Sequence, residues 1–149
     1  MATTTSAPLP VPETRLKQIV DDVCDAVLEP AEYYDHSKVD VWNSTIINSL
    51  LKAVVAEATP EGATGASYKI ACNSVIVQHL VPTSALNKPR GGTDAKGTES
   101  NVPTTGRRGM HNAVGAYWDE SKDGMWVRKY PGGERKGLDV IITLIWIAI

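Results

Sequence analysis

The run of residues 138–149 is the feature that most constrains this fold. It is apolar except for Asp139 and Thr143, and it is rich in β-branched side chains. Continuous rather than alternating hydrophobicity is typical of a strand covered on both faces. The run is far shorter than the roughly 20 residues that a membrane-spanning helix needs. The sequence therefore predicts a central strand of a sheet, and the rest of the chain must cover that sheet.

Two helices are predicted before the strands. From Glu13 onward, apolar residues recur at helical spacing and acidic and polar residues lie between them, which predicts an amphipathic helix that Pro30 ends. A second helix follows, with Ser37 predicted to accept hydrogen bonds from free backbone N–H groups at its start. Its apolar stripe runs through residues 39–54, and Pro60 ends it.

Four segments after the helices have strand character. They are residues 68–77, 109–118, 125–130 and 138–149, and the Asp123-Gly124 pair before the third is a strong turn signal. The predicted fold is α+β, with two N-terminal helices packed on a four-stranded antiparallel sheet. The helices cover one face of that sheet, and a partner subunit would supply the cover for the other.

The length of 149 residues suits one domain. Residues 1–12, with three prolines, are predicted to be a disordered tail, and residues 13–149 the domain. Within the domain, residues 81–108 are rich in Gly, Pro, Thr and Ser and poor in apolar side chains, which predicts a disordered insertion between two strands. Its Ser and Thr residues are candidate phosphoacceptors.

No motif for catalysis, a cofactor or a metal is complete. The segment 92–97 has the glycine spacing of a phosphate loop, but Thr98 stands where the lysine is required. The turn at Asp119 imitates the start of a calcium loop, but Tyr130 occupies the position of the bidentate carboxylate. The three His and two Cys have no ligand spacing, so neither a zinc site nor an enzyme is expected.

Charge and targeting signals limit the partners and the location that the sequence predicts. The net charge of −2 gives no basic field for nucleic acid, and the first twelve residues have neither a basic start nor an apolar run. We therefore expect a soluble intracellular protein that neither binds nucleic acid nor inserts into a membrane.

Several short segments, in order, resemble one family. Residues 34–39, with the sequence Tyr-Asp-His-Ser-Lys-Val, are followed by Trp42 and resemble the start of the second helix of Tctex1-type dynein light chains. The His-Asn-Ala of residues 111–113 and the Tyr-Trp-Asp of residues 117–119 resemble the second strand and hairpin of that family. The resemblance covers residues 16–149 apart from the insertion.

This resemblance implies a non-catalytic accessory light chain of cytoplasmic dynein. It implies a homodimer whose protomers exchange a strand, and a role in linking cargo to the motor through the dynein intermediate chain and cargo adaptor proteins. The implied location is the cytoplasm and the cytoskeleton, on microtubules through dynein. One alternative is an adaptor of the same fold that acts outside dynein on a cargo or membrane protein. A more remote alternative is a small ligand-binding domain or enzyme.

The resemblance places the peptide-binding and strand-exchange edge on the predicted second strand. Small side chains there would let another backbone approach closely, although they would also suit packing beneath the helices. The insertion is longer than the loop of typical family members, which leaves open whether this strand crosses to a partner or folds back. The candidate site residues are His111, Asn112, Ala113, Val114, Gly115, Ala116, Tyr117 and Trp118.

Overall fold

A computed structural model gives the fold and describes residues 7–78 and 111–149. The predicted insertion, residues 81–108, lies outside the described residues. So do residues 1–6 and the first two residues of the predicted second strand, 109 and 110.

The first helix, α1, spans Glu13–Leu28, from the residue at which the helical spacing begins in the sequence. Its buried side chains follow the expected stripe, and both Arg15 N–H and Leu16 N–H donate to the carbonyl of Pro12 at 2.9 Å. The remainder of its surface is charged, so one face of the helix packs and the other is solvated.

The second helix, α2, spans Val39–Ala58 and packs against α1. The predicted capping role of Ser37 is wrong. Its hydroxyl donates to Asp35 Oδ1 at 2.6 Å and its backbone N–H donates to the same oxygen at 3.0 Å, while the helix begins after Lys38 without a side-chain cap. The aspartate, as the stronger acceptor, organises this turn.

In the described residues, three antiparallel strands form the sheet: β1 (Tyr68–Gln78), β2 (Gly124–Tyr130) and β3 (Leu138–Ala148). Their order is β1-β3-β2, and a 3-10 helix, Pro131–Lys136, joins β2 to β3. The apolar run is therefore the central strand, as predicted, and Gly137 turns the chain into it with φ at 68°.

The predicted four-stranded sheet is not confirmed, because the described chain has three strands. Residues 111–119, predicted as the remainder of the second strand and the start of the hairpin, have no regular secondary structure. A strand needs a neighbouring strand for its backbone hydrogen bonds. Strand character in the sequence does not supply that neighbour.

The two helices lie on one face of the sheet, which we call the inner face. Alternate residues of β3 on that face are fully buried with the helix stripes, and Ser74 of β1 donates to Asn43 of α2 at 2.7 Å. The opposite, outer face carries the other alternate residues of the three strands. It has no helix against it in the described part of the chain.

The chain before α1 also reaches the core. Residues 1–12 were predicted to be a disordered tail, and the structure describes them from residue 7 onward. Ala7 is 9% exposed and Val11 is 1% exposed, and Val11 belongs to the core cluster. Burial of this valine fixes the chain as it enters α1, so the last part of the predicted tail packs on the domain.

Candidate peptide-binding edge

The eight predicted site residues lie together in one segment outside the sheet. His111 to Tyr117 are all exposed, with Tyr117 fully so, and Trp118 is partly buried. None of them belongs to β1, β2 or β3. The segment is therefore exposed in the single subunit and does not pack beneath its helices.

Gly115 lies in the middle of this segment. A Cβ built at this position meets no other atom within 4 Å. A second backbone can therefore approach the segment without meeting a neighbouring side chain.

A tight turn fixes the end of the segment to the sheet. The backbone N–H of Asp123 donates to the carbonyl of Asp119 at 2.8 Å, and Asp119 N–H donates to Asp123 Oδ2 at 2.9 Å. Asp119 Oδ1 in turn accepts from Ser121 N–H at 3.0 Å and from the Ser121 hydroxyl at 2.6 Å. These bonds from Ser121 lower the pKa of the Asp119 carboxyl.

Asp123 has a structural role that the sequence did not indicate. It is only 7% exposed, and its Oδ1 accepts from the backbone N–H of Ala148 at 2.7 Å. One carboxylate thus joins the turn before β2 to the last residue of β3. The Asp-Gly pair predicted the turn, but no local signal indicated this contact with the far end of the chain.

The adjacent strand, β2, is an edge strand, since its only neighbour in the described chain is β3. Its outer-face side chains Met125 and Val127 are 43% and 52% exposed. Within the described chain, the backbone edge of β2 that faces away from β3 has unpaired N–H and C=O groups that a further strand could use.

Bonds to α1 hold the inner face of β2 in place. Arg128 donates from Nε and Nη2 to the two carboxylate oxygens of Asp21, at 2.9 and 2.7 Å. The hydroxyl of Tyr130 donates to Asp25, and burial together with that bond raises the pKa of Tyr130. The edge of β2 is therefore presented by a strand that is fixed from behind.

A shallow acidic depression lies beside the end of α1, where Asp22, Asp25 and Glu29 surround Tyr130 and Lys136. Lys136 Nζ donates to the carbonyls of Leu28 and Ala31 at 2.7 and 2.6 Å, so it satisfies the last carbonyl of α1 and one just beyond the helix. This arrangement stabilises the helix end.

The two cysteines do not form a nucleophilic site. Burial raises the pKa of Cys24 to about 12 and that of Cys72 to about 11, so both are thiols at neutral pH. In residues 7–78 and 111–149, no group of three or more His, Cys, Asp or Glu side chains could hold a metal ion. No helix in that part of the chain is long and apolar enough to cross a membrane.

Comparison with known proteins gives a family match over the whole domain. A sequence model of the Tctex-1 family matches residues 10–147. A Schizosaccharomyces pombe protein named "Dynein light chain Tctex-type" is 28% identical over 140 residues, which are 94% of this chain and 97% of that protein. A Zygosaccharomyces rouxii protein named "Topoisomerase I damage affected protein 2" is 41% identical over 39 residues, which are 26% of this chain and 33% of that protein.

Proposed function

The chain belongs to the Tctex-1 family, and from this premise we propose that it is a dimeric, non-catalytic light chain of cytoplasmic dynein that binds the intermediate chain by strand addition. In this role it helps to link cargo and cargo adaptor proteins to the motor on microtubules in the cytoplasm. The relative that spans nearly the whole chain is named as a dynein light chain, which supports the dynein assignment.

One observation carries the binding mode: among the described residues, an exposed segment without a strand partner adjoins an edge strand that has a neighbour on one side only. Residues 111–118 are that segment and β2 is that strand. A tight turn joins them, and although such a turn can fold two strands into a hairpin, residues 111–118 form no strand pairing with β2 in the described chain. We propose that residues 111–118 of one copy pair instead with β2 of a second copy, and that each sheet thereby gains a fourth strand.

The intermediate-chain peptide then adds on the far side of the exchanged segment. Backbone hydrogen bonds supply the affinity, and pockets for alternate side chains supply the specificity. Gly115 gives room for close approach of the peptide backbone. Val114 and Trp118 lie on one side of an extended segment and Tyr117 on the other, so they would form those pockets.

A dimer has two such edges. An intermediate chain that is itself dimeric can occupy both, and the second contact then forms at high effective concentration. Modest affinity at each edge is enough for a stable complex.

The decisive experiment is affinity purification of the full chain from cells under native conditions, combined with its mass in solution. We expect the dynein intermediate chain to co-purify and the mass to be twice 16.1 kDa. A dimer that recovers a cargo or membrane protein without dynein subunits would favour the adaptor outside dynein. A monomer at micromolar concentration would contradict strand exchange.

A further inference from the structure

The outer face of the sheet is a largely apolar surface with uncharged polar side chains at its centre. Its charged side chains, Lys69, Lys129 and Asp139, lie in the other rows. Across the three strands its side chains form rows set by the strand register. The rows above and below the central one are Ala71–Ile145–Met125 and Val75–Ile141–Lys129. The central row is Asn73–Thr143–Val127.

The two polar residues of this row differ in exposure. Thr143, on the central strand, is 3% exposed, whereas Asn73, on the edge strand β1, is exposed. Beside them Val127 is 52% exposed, and Ile147, at the end of the same face, is 40% exposed. A surface of this kind is covered in most soluble proteins.

The occupant that we assign to this face is a second copy of the chain, and this step rests on the proposed dimer. A two-fold interface brings the same patch of each subunit together. The face has five rows along β1 and β3, from Lys69–Ile147 to Val77–Asp139. Two such faces cover each other fully only when the symmetry axis passes through the centre of the face, which lies in the third row, the row of Asn73.

The direction of the axis then decides what Asn73 meets. An axis along the strands would place β1 of one copy on β2 of the other, with the amide of Asn73 against Val127. An axis along the row places β1 on β1, with Asn73 against the same residue of the second copy. A buried amide without a hydrogen-bond partner is costly, whereas two amides are self-complementary, since each NH₂ can donate to the other carbonyl oxygen.

We propose that Asn73 pairs with Asn73 of the second copy across the outer faces, and that this amide pair sets the register of the two sheets and favours a copy of the same chain as partner. A single polar residue in an otherwise apolar interface has this effect in coiled coils, where a misaligned partner leaves the polar group unsatisfied. The charged side chains of this face lie away from its centre, and Lys129 pairs with Asp139 within the subunit at 3.2 Å. The same logic therefore applies to the uncharged amide in the central row.

Charge exchange at this position tests the proposal. A tagged Asn73→Asp chain and an untagged Asn73→Lys chain are expressed separately and together, and dimers are quantified by native mass spectrometry. Each variant alone is expected to dimerise at least about tenfold more weakly than the unsubstituted chain, since like charges would face each other. Expressed together, they are expected to form mixed dimers well above the about one half given by random pairing.

The matched control uses Ala71, an exposed residue one row away on the same face of β1. Ala71→Asp and Ala71→Lys expressed together should stay close to random pairing, because residue 71 would not face its own copy. Asn73 is exposed in the single subunit, so its substitution leaves the core intact, and co-expression lets the two charged chains pair as they fold.

The outcomes separate this inference from the function it rests on. Random pairing of the two Asn73 variants, with the unsubstituted chain dimeric, would overturn the amide pair and leave the dimer in place. A monomeric unsubstituted chain would overturn both. Preferential mixing at Asn73 but not at Ala71 would establish the register.

Discussion

At the scale of single residues, Asp123 contributes more to the structure than its place in a turn suggests. Its carboxylate accepts from Asp119 N–H at one end of the candidate segment and from Ala148 N–H at the end of the central strand. Both backbone N–H groups would lose their acceptor if the Asp123 carboxylate were removed. Asp119, in the same turn, accepts only from neighbouring residues that water can replace.

We expect Asp123→Ala to lower the free energy of unfolding by about 2–3 kcal/mol, because it leaves two backbone donors unpaired near a buried site. Asp119→Ala is the matched control and should cost less than about 1 kcal/mol. Urea unfolding followed by circular dichroism measures both. Equal losses for the two variants would show that Asp123 has no special role.

A second contrast at this scale concerns two arginine–carboxylate pairs of different burial. The side chains of Arg128 and Asp21 are 22% and 31% exposed and joined by two hydrogen bonds, whereas those of Arg15 and Glu57 are 44% and 32% exposed. A bidentate pair in a less hydrated position is the stronger of the two.

Double-mutant cycles with alanine should therefore give a coupling free energy of about 1–2 kcal/mol for Arg128 with Asp21. The same cycle for Arg15 with Glu57 should give less than about 1 kcal/mol. The unfolding free energies of the single and double variants provide both values. A larger coupling for the Arg15 pair would reverse this ranking.

At the scale of elements, the exposed segment and β2 form the proposed functional unit. The strand is fixed to α1 by side-chain bonds, while the segment before it has no partner within the described chain. An unpaired segment of strand-forming sequence next to a rigid edge is suited to pairing with another chain. The proposed location of the site thus depends on the lack of a fourth strand beside β2 in the described chain.

Substitution of Gly115 by proline should weaken binding of an intermediate-chain peptide at least about tenfold, since proline removes a backbone donor and fixes φ. Gly115→Ala should bind like the unsubstituted chain, because a Cβ there meets no atom within 4 Å. Isothermal titration calorimetry with the peptide compares the two. Unchanged affinity in the proline variant would place the peptide on another edge.

At the scale of the whole molecule, the described part of the subunit has one covered and one uncovered sheet face. The inner face is buried under the two helices, while Met125, Val127 and Ile147 on the outer face are each at least 40% exposed. Covering that face is the reason to expect a dimer whose folding and association are linked.

The thermal midpoint of a linked dimer depends on protein concentration. A hundredfold rise in concentration should raise Tm by about 3–6 °C for a chain of this size. Differential scanning calorimetry at two concentrations tests this, with scan rate held constant. A Tm that does not change with protein concentration would indicate that the chain unfolds as a monomer.

The sequence alone determined the local elements and the family. Helical spacing from Glu13 gave the start of α1, β-branched residues gave the three observed strands, and unbroken hydrophobicity placed β3 at the centre of the sheet. These signals are local, because each reflects what one segment must bury. The ordered segments that resemble Tctex1-type light chains likewise gave the family that the comparison confirmed.

Only the tertiary structure decided which segments meet. The order β1-β3-β2, the bond of Asp123 to Ala148 and the row of Asn73 with Thr143 join residues far apart in the chain. Residues 111–118 have strand character but no partner among the described strands. Periodicity shows which side of a segment is covered, but it does not show which segment lies beside it. The backbone hydrogen bonds of a strand form with another segment and not within the strand itself.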